Sequence, residues 1–197
     1  LTNPRAIAAA QKYSYDLVTD ITTQTRAAIR RTIVAGQRGQ LTVDQQADRI
    51  RRAIGLNEQQ AVAVMNLDMG LREDGDLTEG QITQRIASAV DDALDYRAEM
   101  IARTETIRAS NAGQQELFYQ AAENGLLGVD AQRVWIAAPD ACGACLDLDG
   151  VDTGLDEPWD SDGEEIMLPP LHPQCRCAVA ISDPGSYAPG SETLDEE

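Results

Sequence analysis

Aromatic and basic side chains are scarce in this sequence, and long apolar runs are missing. Of the 197 residues, 4% are aromatic, and the chain has a single histidine, His172. Aliphatic and alanine side chains must therefore fill most of the core, and any histidine chemistry must use His172. No apolar run approaches the roughly 18 to 20 residues of a membrane span, and no signal peptide is visible. Membrane, collagen-like and wholly disordered classes are excluded. The chain begins at Leu1, so we expect its natural N-terminus to lie upstream.

Charge is unevenly divided along the chain. The 33 acidic and 16 basic residues give a net charge of −17. Residues 1–110 hold 15 acids and 14 bases, whereas residues 111–197 hold 18 acids and two bases, Arg133 and Arg176. Most of these carboxylates are typical of a solvated acidic surface. Because such a field repels phosphates, we expect no tight direct binding to nucleic acid.

The first 125 residues have the pattern of amphipathic helices. Asn3 and Pro4 form a helix start, and apolar residues from Leu17 to Ile33 keep helical spacing down to Gly36 and Gly39. Further starts are predicted at Thr42, Asn57 and Thr78, with Gln45 and Gln81 completing capping boxes at the first and third of these. The Thr78 helix is expected to carry apolar residues to Leu94, and a separate long helix to run from about Tyr96 to Asn124.

Two of these helix starts resemble each other. Seven residues recur 36 positions later: Gly39, Leu41, Thr42, Gln45, Arg49, Ile50 and Ala53 match Gly75, Leu77, Thr78, Gln81, Arg85, Ile86 and Ala89. A solenoid needs three or more copies, and only two are found. Similar capping chemistry explains most of the match, and a true duplication stays open.

The pattern changes after Gly128. Residues 134–136 and 178–181 have strand character, and glycine and proline punctuate residues 151–170 as a loop. The predicted fold is mainly α: a helical N-terminal region followed by a small zinc-bound α+β lobe. The chain is predicted to divide into a helical partner-binding region at residues 1–75 and a second helical part at 76–128. A C-terminal lobe at residues 129–182 and an acidic flexible tail at 183–197 follow.

Five potential metal ligands lie close together in the C-terminal lobe. They are Cys142, Cys145, His172, Cys175 and Cys177. The first two have the spacing of a zinc knuckle, and the last two, two residues apart on an extended strand, would point to one face. Thiolates and imidazole favour zinc. Five donors compete for four tetrahedral positions, with Cys142, Cys145 and Cys175 favoured first and His172 and Cys177 nearly equal.

Other interpretations of these cysteines stay open. Disulfides would need an oxidising compartment, a redox Cys-x-x-Cys would need a βαβ context, and the thiols could be buried and inert. A small, loop-rich lobe favours a structural metal instead. A catalytic metal site is disfavoured, because five donors leave no open position. His172 also lacks the His-x-Glu context of zinc deaminases, and no P-loop, dinucleotide fingerprint or Gly-x-Ser-x-Gly appears.

These residues, taken in order, resemble a known family. The matching segments are Ile101–Thr106, Asn111, Trp135, Asp140–Cys145, Leu148–Gly150 and Leu171–Cys177. In order and spacing they are similar to the Mu F-like minor head proteins, which act in head morphogenesis of tailed bacteriophages. The resemblance covers roughly residues 79–181, and its His-Pro-x-Cys-Arg-Cys ending is the most specific part.

The resemblance implies a non-enzymatic minor capsid protein, present in multiple but few copies in the virion. It would lie inside the capsid near the portal, after assembly in the host cytoplasm, and act in head assembly, DNA packaging or ejection. The implied partner is the phage portal protein, with the major capsid or scaffold protein as a further candidate. The polar segment Arg103–Thr106 is expected to anchor the long helix to the C-terminal lobe, in preference to forming a catalytic Arg/Glu pair. Some relatives carry a toxin domain after this region, and we expect none within these 197 residues. Two alternatives are a metal-dependent enzyme or effector packaged in the virion, and a cytoplasmic zinc-lobe interaction module.

Overall fold

The described part of the chain forms five helices, which are followed by two small antiparallel sheets with a short sixth helix among their strands. The computed structural model describes residues 3–12 and 22–183. Its elements are α1 Pro4–Lys12, α2 Thr23–Gln37, α3 Val43–Arg51, α4 Glu58–Glu73, α5 Glu79–Glu123, β1 Gln132–Ile136, α6 Gly143–Leu146, β2 Asp152–Gly154, β3 Trp159–Ser161, β4 Glu164–Ile166 and β5 Ala178–Ser182. The expectation of a mainly α chain with a small α+β lobe is confirmed. Leu17, Val18 and the tail beyond Asp183 lie outside the described residues.

Side-chain caps begin α1, α3, α4 and α5 where the sequence predicts them. Asn3 Oδ1 accepts hydrogen bonds from the backbone N–H groups of Arg5 and Ala6, at 2.9 and 3.3 Å. Complete capping boxes start three further helices: Thr42 with Gln45, Asn57 with Gln60, and Thr78 with Gln81. Each box satisfies backbone N–H groups that the first helical turn leaves unpaired. The matching Gly39 and Gly75 segments thus share a local helix start, although α3 has 9 residues and α5 has 45.

Two helix boundaries differ from the prediction. The expected helix to Gly36 is interrupted, because Thr22 is extended and its hydroxyl accepts a hydrogen bond from the Thr25 N–H, which starts α2. The separate helices expected at Thr78–Leu94 and Tyr96–Asn124 are one continuous helix, α5. No proline interrupts this segment, and Arg51 of α3 pairs with both Asp91 and Asp95 across the expected break.

The C-terminal lobe is built on a three-stranded antiparallel sheet. Its strand order is β2-β1-β5, so β1 lies in the centre. The register places Ile136, the last residue of β1, opposite Ala178, the first residue of β5. Residues 151–170, expected to be loop, also contain β2 and a hairpin of β3 and β4. These strands have three residues each, too short for an alternating pattern to be visible.

Long helix α5 contributes to two hydrophobic cores. Near its middle, the helical core joins Ile29, Ile33, Ile50, Ala98, Ile101, Ala102 and Ala109. Further along, Phe118 packs with Trp135, Cys145, Leu148, Trp159, Cys175, Cys177 and Val179 of the C-terminal lobe. No helix of the described part is long and apolar enough to cross a membrane.

Candidate metal centre

Sheet topology brings the two cysteine pairs together. Because β1 and β5 are antiparallel, the segment that leaves β1 and the segment that enters β5 lie at the same end of the sheet. The first segment carries Cys142 and Cys145, and the second carries His172, Cys175 and Cys177. Residues about 30 positions apart in sequence thereby become neighbours in space.

The first pair lies on a single helical turn. Cys142 is extended and occupies the N-cap position of α6, while Cys145 lies in that short helix. The Leu146 N–H donates to the Cys142 carbonyl at 3.0 Å, which closes the turn. Cys145 is buried and Cys142 is exposed, so the pair reaches from the interior of the C-terminal lobe to its surface.

The second pair is held by a tight turn that α5 supports. The Cys175 N–H donates to the His172 carbonyl at 3.1 Å, and Gln174 has φ of 65°, in the left-handed region. The Gln174 N–H donates to Thr104 Oγ1 at 2.9 Å, and the Gln174 side chain donates to the Tyr96 hydroxyl at 3.1 Å. Helix α5 therefore fixes the turn from which His172 and Cys175 project.

Three contacts between ligand atoms can be compared with the geometry of a tetrahedral metal site. His172 Nε2 is 3.2 Å from Cys142 Sγ and 3.4 Å from Cys145 Sγ, and Cys145 Sγ is 3.7 Å from Cys175 Sγ. Zinc bonds of about 2.3 Å to sulfur and about 2.0 Å to nitrogen would place tetrahedral ligands about 3.5 to 3.8 Å apart. The sulfur–sulfur separation lies within this range, and the two sulfur–nitrogen contacts are slightly shorter. The donor types suit a metal ion of this size.

The imidazole of His172 presents its free nitrogen to the sulfurs. Its Nδ1 lies 2.8 Å from the carbonyl oxygen of Pro173. A carbonyl oxygen only accepts hydrogen bonds, so Nδ1 carries the hydrogen and the neutral ring keeps a lone pair on Nε2. Metal-binding histidines are commonly oriented by such a backbone contact.

The cysteine thiols titrate differently in the absence of a cation. Burial, reinforced by the neighbouring Cys175, raises the pKa of Cys145. Burial also raises the pKa of Cys175. The backbone N–H of Cys145 lowers the pKa of the exposed Cys142 thiol, and His172 lowers it further. Two buried thiols beside each other need a positive ion before both can ionise.

All five predicted ligands are brought together, but in two overlapping groups. Cys142, Cys145 and His172 have ligand atoms within 4.8 Å of one another, as do Cys145, Cys175 and Cys177. We name these five residues the Cys/His cluster, and Cys145 belongs to both of its groups. Such an arrangement could hold a metal ion.

The polar segment Arg103–Thr106 has more than one role. Thr104 is buried and contacts the turn at Gln174, as expected for an anchor to the C-terminal lobe. Thr106 instead donates to Gln46 Oε1 of α3 at 3.1 Å, and Arg103 is exposed and pairs with Glu99. The segment therefore joins α5 to both the lobe and the other helices.

Two buried polar residues, Arg133 and Asn111, form hydrogen bonds with the backbone of the C-terminal lobe. Arg133 on β1 is fully buried, and its guanidinium donates to the carbonyls of Gly154, Met167 and Glu157 and lies 4.5 Å from the Trp159 ring centroid. In the sequence, Arg133 was considered only as one of two basic charges in this half of the chain. Its position beside the predicted strand residues 134–136 is the signal that could have indicated a buried role. Burial lowers the pKa of its guanidinium.

The second supporting residue is Asn111 of α5. Its Oδ1 accepts from the Val179 N–H at 3.2 Å, and its Nδ2 donates to the Cys177 carbonyl at 3.1 Å and to the Pro169 carbonyl at 3.3 Å. Asn111 therefore fixes the chain on both sides of the point where the second cysteine pair enters β5.

Comparison with protein families gives a match. A family model described as Phage Mu protein F like protein matches residues 73–180, which include α5, most of the C-terminal lobe and all five members of the Cys/His cluster. No curated protein and no solved structure matches this chain.

Proposed function

The chain belongs to the Phage Mu protein F like family, and from that premise we propose that it is a minor capsid protein that lies inside the phage head and associates with the portal. The observation that carries this proposal is the extent of the match. It covers the long helix that joins the two cores and the whole Cys/His cluster, rather than an isolated motif. The family assigns a head morphogenesis protein, and the portal is the proposed partner within the head.

We propose that a structural zinc ion holds the C-terminal lobe through Cys142, Cys145, His172 and Cys175. Cys175 is the fourth ligand because its sulfur lies one tetrahedral edge, 3.7 Å, from Cys145 Sγ. Cys177 shares a group with Cys145 and Cys175, and neither sulfur of the second pair groups with Cys142 or His172. Both also lie in the same apolar core, so the 3.7 Å contact is the observation that favours Cys175. Zinc would cross-link the segment that leaves β1 to the segment that enters β5.

The proposed role is not enzymatic. Four protein ligands would close the coordination shell and leave no position for a reactive water. The one histidine of the chain would be used as a ligand. The acidic balance of residues 111–197 also opposes tight DNA binding, and we expect weak binding to DNA at physiological ionic strength.

Portal contact is proposed for the helical N-terminal region, residues 1–75. This part of the chain carries a near-neutral charge balance, whereas the C-terminal lobe carries the acidic excess. Ile29, Ile33 and Ile50 of this region share a core with α5. A deletion would therefore expose Ala98 and Ile101, and surface substitutions are the cleaner test.

Purified virions of the encoding phage provide the experiment. We expect quantitative mass spectrometry to find the protein at a few copies per particle, and cross-linking to join it to the portal protein. The major capsid protein is the abundance reference, and a soluble protein of the infected cell is the negative control. Absence of the protein from mature particles and from their precursors would overturn the proposal, as would cross-links exclusively to proteins outside the head.

A further inference from the structure

Helix α4 has apolar side chains on two opposite faces. One face carries Val64 and Leu71, which are partly buried, and Gln60, whose amide donates to the Ala93 carbonyl of α5 at 2.8 Å. This contact holds α4 against the N-terminal half of α5. Packing against α5 therefore explains why one face of α4 is apolar.

The opposite face is also apolar but is open. Val62, Met65 and Met69 are 50%, 64% and 54% exposed, and their spacing of three and four residues places them in one row. Glu58 and Glu73 lie at the two ends of the same row. A helix that is apolar on both sides is typical of one packed on both sides, and flexible methionines are typical of binding surfaces.

We propose that these five residues form a docking strip for a partner helix that has an apolar face flanked by a basic side chain at each end. We name them the α4 strip. Glu58 and Glu73 form no ion pair within the described part of the chain. They are 15 residues apart, which corresponds to about 22 Å along a helix. The partner's basic side chains would need a similar separation.

Charge also argues against a second copy of this chain as the occupant. An antiparallel pair of α4 helices that matched Val62 with Met69 would place Glu58 opposite Glu73 of the other copy. A parallel pair would place each of these glutamates opposite itself. Like charges face each other in both arrangements, which is destabilising.

The α4 strip lies within the region proposed to contact the portal, and the inference rests on the proposed function in that respect alone. The charge and exposure arguments concern α4 alone. A probe other than the portal can therefore test the strip by itself.

Two stapled helical peptides form the probe for the full-length protein. Both carry leucines on one face, and the peptides differ in having lysine or glutamate at two positions about 22 Å apart at the ends of that face. By fluorescence anisotropy we expect the lysine peptide to bind at least tenfold more tightly, with a preference that falls as salt rises.

The double variant Met65→Asp/Met69→Asp should lose this binding, and Glu58→Lys/Glu73→Lys should reverse the preference. Val129→Asp, at a fully exposed site outside α4, is the matched control and should bind like the parent.

Three outcomes would overturn the proposal: equal binding of both peptides, a preference that survives the charge reversal, or a dimer in sedimentation that Met65→Asp/Met69→Asp dissolves. Circular dichroism establishes that each variant is folded before its binding is measured. Competition with purified portal protein then separates the two proposals. Peptide binding that portal protein does not displace supports the strip and contradicts its role in portal contact.

Discussion

Asn111 of α5 accepts a hydrogen bond from the backbone N–H of Val179 on β5, over 3.2 Å. The same side chain donates to the Cys177 carbonyl at 3.1 Å. One amide thus pairs with the edge of β5 as a neighbouring strand would. The long helix and the cysteine-bearing segment are thereby joined in a fixed register.

Loss of the Asn111 amide should destabilise the C-terminal lobe. Asn111→Ala leaves the Val179 N–H and the Cys177 carbonyl unpaired in the interior, and each such group costs about 1 to 3 kcal/mol. We expect the free energy of unfolding to fall by about 2 to 4 kcal/mol in urea titrations. Gln114→Ala, at an exposed position on the same helix, is the matched control and should change it little. An Asn111→Ala variant as stable as the control would show that the contact contributes nothing.

Metal removal should loosen the C-terminal lobe and leave the helices formed. Both tryptophans of the chain, Trp135 and Trp159, are buried in the lobe and pack edge to face with centroids 5.4 Å apart. Tryptophan fluorescence therefore reports on the lobe, and far-ultraviolet circular dichroism reports mainly on the helices. With a chelator we expect red-shifted fluorescence and largely preserved helical signal. Elemental analysis that finds no metal in the folded protein would contradict the zinc proposal directly.

Single cysteine variants should identify the ligand set. Cys175→Ser is expected to lose stoichiometric zinc, because its sulfur lies next to Cys145 Sγ. Cys177→Ala should retain one zinc per chain while losing stability, since Cys177 is buried in the apolar core of the lobe. Zinc content is measured by elemental analysis after dialysis. The reverse pattern would assign the fourth position to Cys177.

Zinc affinity should rise with pH. Burial raises the pKa of both Cys145 and Cys175 above the ordinary thiol value of 9.0, so each must lose a proton when the metal binds near neutral pH. Calorimetry in buffers of different ionisation enthalpy should detect this proton release. The free energy of unfolding of the metal-free chain should instead fall as pH rises. The stability that these neutral thiols contribute is complete below their pKa in the unfolded chain, and it is lost as pH rises through their pKa in the folded chain. Zinc binding that is independent of pH between about 6 and 8 would exclude thiol deprotonation on metal binding.

Arg133 should not tolerate replacement by lysine. Its planar guanidinium donates to three separate backbone carbonyls and lies over Trp159, a geometry that one ammonium group cannot reproduce. We expect Arg133→Lys to lower the free energy of unfolding by about 2 to 4 kcal/mol. Arg72→Lys, at an exposed ion pair of α4, is the control and should change it by about 0.5 kcal/mol or less. Equal effects of the two substitutions would contradict the role assigned to Arg133.

The sequence by itself determined the local starts of the helices and the composition of the Cys/His cluster. Capping at Asn3, Thr42, Asn57 and Thr78 depends on side chains within three residues of the backbone groups they satisfy. Such contacts need no tertiary structure. The residue types and close spacing of the cysteines likewise indicated the metal chemistry before any fold was known.

Only the tertiary structure decided which distant residues meet. The antiparallel register of β1 and β5 places Cys145 beside His172 and Cys175, and no local pattern encodes a pairing between segments about 30 residues apart. The three-residue strands β2, β3 and β4 are too short to show periodicity and form because neighbouring strands pair with them. Burial of Arg133 depends on carbonyls from three loop or strand positions that converge only after folding. Helix caps and potential metal ligands could therefore be predicted from the sequence, because they depend on residues close together in the chain. Contacts between distant segments could not, because they depend on packing that the sequence specifies only as a whole.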